Sequence, residues 1–100
     1  MKTQEIGLAS ETLALQHLEQ QGLKLLERNY SSRYGEIDLI MLDGETLVFI
    51  EVRYRHSNGY GGAFASITPS KQKHIHNTAQ HFIQQNKKHA HRNARIDAVG

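Results

Sequence analysis

One hundred residues, 38% apolar and 22% charged with a single proline, describe one folded domain and exclude both a disordered chain and a second core. Zero cysteines exclude a disulfide framework, a cysteine zinc site and a thiol nucleophile; with no long apolar run and no apolar leader after Met1-Lys2-Thr3-Gln4-Glu5, the expected compartment is the cytoplasm and no membrane partner is expected. The net charge of +2 conceals an asymmetry, because residues 1–50 carry four Lys/Arg against eight Asp/Glu while residues 51–100 carry eight against two, so an acidic half could hold a cation and a basic half could face nucleic acid, unless each simply solvates itself.

In chain order, Ile6, Ala9, Leu13, Ala14 and Leu18 form a helical stripe from Thr3 to about Gln21, and Gly22 follows as a left-handed cap. Leu23 to Tyr30 reads as a short strand, with a turn over Ser31 to Gly35. Glu36 to Leu42 reads as a second strand, and Asp43-Gly44 is a hairpin signal. Thr46 to Arg55 is a third strand, with Val48, Ile50 and Val52 on one face. After a Gly-rich loop over His56 to Ser66, Thr68-Pro69 places an N-cap and a first-turn proline ahead of the stripe Ile75, Ala79, Phe82 and Ile83. That helix fades near residues 86–88, and a last strand starts near Arg95. The predicted order is α-β-β-β-α-β, an α/β fold with a central mixed sheet flanked by helices.

Two strand segments carry chemistry. In Gly35-Glu36-Ile37-Asp38-Leu39-Ile40, alternation puts Glu36 and Asp38 on one face and Ile37 and Leu39 on the other. In Phe49-Ile50-Glu51-Val52-Arg53, it puts Glu51 with Arg53 and Arg55. If the strands pair through Asp43-Gly44, Asp38 and Glu51 converge beside a cation. Such an arrangement binds Mg²⁺ or Mn²⁺ and orients a phosphodiester and an attacking water. A carboxylate inside an apolar strand is costly without a partner, although a sheet with one solvated face would carry the same alternation.

These segments, with Val48 to Arg55 as a unit, resemble the hallmark of the YraN-type bacterial family, which is similar to the PD-(D/E)xK superfamily of restriction endonucleases and Holliday-junction resolvases. The resemblance covers nearly the whole chain: Gly7, Glu11, Ala14, Leu18, Gly22 and Asn29-Tyr30 match ahead of the hallmark, and Gly61, Lys71, Ala79 and Arg95-Ile96-Asp97 match behind it. It implies a restriction-endonuclease-like core and a metal-dependent DNA endonuclease, with branched or damaged DNA among its substrates. Asp38 then stands at the metal-binding aspartate, Glu51 at the second acid, Glu11 at the extra carboxylate of junction-resolving members, and Arg53 at the motif lysine. Three departures stand out. Arg53 replaces the usual lysine; it can neutralise phosphate but stays protonated and cannot act as a base, which puts cleavage in doubt. Ser10 replaces a usual glycine. Family members usually continue beyond the point that matches Gly100, so the single domain over residues 1–100 is expected to lack a C-terminal continuation.

Lys71 and Lys73 open the second helix, where they either reach a phosphate or stay solvated. Tyr60, in Gly59-Tyr60-Gly61-Gly62, could stack on a base, although a plain connection serves as well, and no P-loop lysine follows. Among the histidines, only His74 and His81 share a helical face, a weak basis for zinc. The expected partner is nucleic acid, specifically DNA, and a homodimer is compatible with cutting two strands. The alternative is a non-catalytic protein-interaction scaffold on the same fold.

Overall fold

The structure, a computed structural model, describes residues 3–52 and 68–99. Helix α1 (Thr3–Gln20) leads into strands β1 (Lys24–Ser32), β2 (Gly35–Asp43) and β3 (Thr46–Val52). Helix α2 (Pro69–Gln85), a 3-10 turn over Lys87–His89 and strand β4 (Ala94–Val99) complete the order. The sheet runs β1-β2-β3-β4, antiparallel across the first two junctions and parallel at β3–β4. The α/β architecture with a mixed sheet is as predicted, and it is consistent with a restriction-endonuclease-like core. Among the described residues, no helix is long and apolar enough to cross a membrane.

Both faces of the sheet are covered. Ile37, Ile40, Leu47 and Phe49 pack against Ile75, Ala79 and Phe82 of α2. Leu39, Met41, Val48 and Ile50 pack against Leu15 of α1 and Leu23. A central strand buried on both sides reads as a continuous apolar run, which is why Leu47-Val48-Phe49-Ile50 shows little alternation. The parallel junction requires a crossover, and α2 supplies it.

The chain signals act locally as their chemistry dictates. At the end of α1, the Leu23 amide bonds the Leu18 carbonyl at 3.1 Å and the Gly22 amide bonds that of Glu19 at 3.0 Å, with Gly22 at φ +98. This is a Schellman closure, which needs a residue free of Cβ crowding. Gly44 at φ +60, with Asp43 paired to Thr46, makes the two-residue β2–β3 hairpin. Thr68 accepts from the Lys71 amide at 3.1 Å, ahead of Pro69.

Three readings need correction. Leu13 is 66% exposed, and the buried face of α1 is instead Glu11, Ala14 and Leu15 with half-buried Leu18. The helix turns Glu11 and Leu15, not Leu13, toward the sheet. The Ser31–Gly35 turn is shorter than predicted, because Ser31 and Ser32 pair with Glu36 and Gly35 and leave only Arg33-Tyr34 as the loop. Ile37 and Leu39 do not share a face, since Ile37 joins the α2 cluster and Leu39 the α1 cluster. Across the β1–β2 ladder, Arg28 and Tyr30 divide in the same way, Arg28 toward α1 and Tyr30 toward α2. Between them stands Asn29 at φ 56, the only non-glycine at positive φ among the described residues. Asparagine tolerates that left-handed conformation. The paired strands thus exchange faces across Asn29 and Asp38.

Candidate metal and nucleic-acid site

Asp38 sits where the β2–β3 ladder stops. The last backbone pair is Leu39 with Ile50, and beyond it the Val52 amide donates to Asp38 Oδ2 at 2.8 Å. A side-chain carboxylate therefore takes the place of a backbone acceptor at the fork between the strands. Glu51 lies beside this fork, buried and on the face opposite Ile50 and Val52. Its Oε1 is 3.7 Å from Nζ of Lys71, which α2 brings over from its first turn.

Glu11 approaches from α1 and is also buried. Its Oε1 accepts from Arg28 Nε at 2.6 Å and from Asn29 Nδ2 at 3.2 Å, and Arg28 Nη2 also bonds Thr12 Oγ1 at 2.8 Å. The residue that twists the hairpin thus also holds the third carboxylate. The Asp38 carboxyl is pushed above the usual aspartate range, first by burial. The Val52 amide opposes that rise; Glu11 and Glu36 add to it and Lys71 works against it. Burial, rather than repulsion between two acids, is the main cause.

Glu11, Asp38, Glu51 and Lys71 are thus drawn from four elements to one end of the sheet. Lys73 is exposed on α2. Arg53, Arg55 and Tyr60 lie outside the described residues. Among the described residues, no three His, Asp or Glu side chains form a group able to hold a metal ion by themselves. Two carboxylates still suit Mg²⁺ or Mn²⁺, hard cations that take their remaining oxygens from water and phosphate.

The family model described as "Uncharacterised protein family UPF0102" matches residues 10–100. The chain belongs to the UPF0102 family. A UPF0102 protein of Stutzerimonas stutzeri is 49% identical over 98 residues, covering 98% of this chain and 82% of that relative. One from Alcanivorax borkumensis is 50% identical over 94 residues, covering 94% and 75%. One from Psychromonas ingrahamii is 55% identical over 78 residues, covering 78% and 64%.

Two histidines of this UPF0102 chain have other work. His81 Nδ1 is 2.7 Å from the Tyr30 hydroxyl, and His89 is buried, stacked on Phe82 and bonded through Nδ1 by Arg92 Nε at 3.0 Å. The sequence reading missed Arg28, Asn29 and Thr12. One signal was available, since a glutamate three and four residues before Ala14 and Leu15 shares their buried face and requires a donor. Replacing Arg28 with alanine leaves Glu11 buried with half its anchorage gone. With Arg28 about one-third exposed, the expected loss is about 2 kcal/mol in urea unfolding, below the value for a fully buried pair. Glu11→Gln keeps an acceptor for Arg28 and Asn29 and should lose less.

Proposed function

We propose that this UPF0102 chain is a cytoplasmic nucleic-acid-binding protein with a metal-dependent phosphodiesterase site for DNA, in which Asp38 and Glu51 hold Mg²⁺ or Mn²⁺ and Glu11 supports them from α1. The observation that carries this reading is the convergence of Asp38, Glu51 and Lys71 at the β2–β3 fork, where Asp38 ends the ladder with its own side chain. A bound divalent ion would supply Lewis-acid polarisation of the phosphate and a more acidic water. The carboxylates would orient that ion, and Lys71, Lys73, Arg53 and Arg55 would draw in and hold the phosphodiester, with Tyr60 available for stacking. Arg53 can stabilise charge on the phosphoryl group, but it holds its proton at neutral pH.

Binding to duplex, single-stranded and branched DNA should therefore strengthen with Mn²⁺ and weaken steeply as salt rises. Arg53→Ala should weaken binding about threefold to tenfold, on the scale of one charged hydrogen bond. Arg53→Lys should preserve or raise any slow cleavage. Brisk wild-type cleavage that Arg53→Lys abolishes would contradict this role for Arg53.

One observation favours the scaffold reading. Each carboxylate already has a protein partner: Arg28 and Asn29 for Glu11, the Val52 amide for Asp38 and Lys71 for Glu51. If no DNA binds at low salt with Mn²⁺ present, the scaffold reading takes its place.

A further inference from the structure

The geometry points to Lys71 as a built-in counterion that occupies the acidic fork in the absence of metal and is freed for phosphate when a divalent ion arrives. This rests on the proposed metal site and adds its regulation. Nζ of Lys71 stands 3.7 Å from Oε1 of buried Glu51, while the lysine side chain itself stays 38% exposed. The ammonium head thus meets the acid while more than a third of the side chain stays open to solvent. Pro69 and the Thr68 cap fix the backbone of the first turn of α2, so the four-carbon stem supplies the freedom to move.

A divalent cation on Glu51 and an ammonium group against the same carboxylate repel each other at close range and compete for the same lone pairs. Metal entry therefore favours a rotamer in which Nζ leaves Glu51 and turns outward. A phosphodiester drawn to such a metal would approach from solvent, and the Lys71 side chain, 38% exposed, could meet it there. Arginine could not play this part equally well, since its planar fork prefers to stay with a carboxylate in a bidentate pair.

The test pairs two titrations on the full chain. Mn²⁺ is followed by calorimetry, and a labelled DNA duplex is followed by anisotropy in EDTA and then in Ca²⁺, which replaces Mn²⁺ to suppress cleavage. Lys71→Met removes the competing charge and should tighten Mn²⁺ binding roughly fivefold, on the scale of one half-exposed ion pair. The same variant should weaken DNA binding severalfold more in Ca²⁺ than in EDTA, where Glu51 already holds the ammonium group. Lys71→Arg should bind Mn²⁺ no more tightly than wild type, and because it keeps the charge it guards against loss of fold in the methionine variant. Equal Mn²⁺ affinity in wild type and Lys71→Met overturns the inference, as does an equal loss of DNA affinity with and without metal. A wild-type chain that takes up no Mn²⁺ overturns the proposed metal site itself, a result distinct from either.

Discussion

Phe82→Ala should destabilise the domain by about 4 kcal/mol, a large share of the ~5–15 kcal/mol that holds a small protein together. The ring is buried at the centre of the face against α2, meeting Tyr30 edge-on at 5.2 Å and Phe49 at 5.9 Å and lying parallel to His89 at 6.3 Å. Its removal leaves a void between a helix, two strands and the 3-10 turn, none of which can close it without moving the others. Urea unfolding should show a lower midpoint with little change in slope. A loss below about 1 kcal/mol would mean that α2 packs less tightly on the sheet than these contacts indicate.

Asp38→Asn should separate stability from function. Burial raises the folded pKa of Asp38 above its unfolded value, so the folded state holds the proton more tightly. The stability which that proton supplies is complete at acid pH and is lost as pH rises through the folded pKa. Above that pKa the metal-free wild type carries a half-buried negative charge that asparagine lacks, while the asparagine Oδ1 can still accept from the Val52 amide. The variant should be more stable than wild type in EDTA above the folded pKa of Asp38, and the difference should shrink as the solution is acidified through it. Its Mn²⁺ affinity should fall by upwards of roughly 100-fold, beyond what loss of an outer partner costs. A variant less stable than wild type at every pH would show that the Val52 bond outweighs the burial of charge. Unchanged heats of Mn²⁺ binding would remove Asp38 from the metal site.

The parts of this fold legible in the sequence are those set by backbone chemistry over a few residues. Gly22, Gly44 and Thr68-Pro69 each satisfy or restrict a local conformation, and the elements begin and end at them. The faces of the strands were less legible, because strict alternation assumes a regular pleat. Asn29 adopts a left-handed conformation that many sequences with Asn-Tyr would not, and the exchange of faces it produces displaced Ile37 from Leu39. The face of α1 was misread for a different reason: an apolar count follows Leu13, whereas the packing follows Glu11, whose burial depends on a guanidinium supplied from β1. Within the site, Asp38, Glu51 and Lys71 could be named from spacing and resemblance, but the role of Asp38 as a substitute backbone acceptor depends on where the ladder ends. No residue type announces that.

The parallel pairing of β4 with β3 also governs the order in which the molecule is assembled. Strands β1, β2 and β3 join through two-residue turns, so their contacts are local and can form early. The last strand must instead bring Ala94 to Leu47 and Ala98 to Glu51 across the whole crossover, and that loop-closure entropy is met only when α2 docks at the same time. During synthesis, the meander can therefore leave the ribosome with the β3 edge bare beside Glu51, an edge open to pairing with a neighbouring nascent chain. Substitutions in β4 should then act chiefly on the unfolding rate and those in the β2–β3 hairpin on the folding rate, and Lys71 reaches Glu51 only once α2 docks.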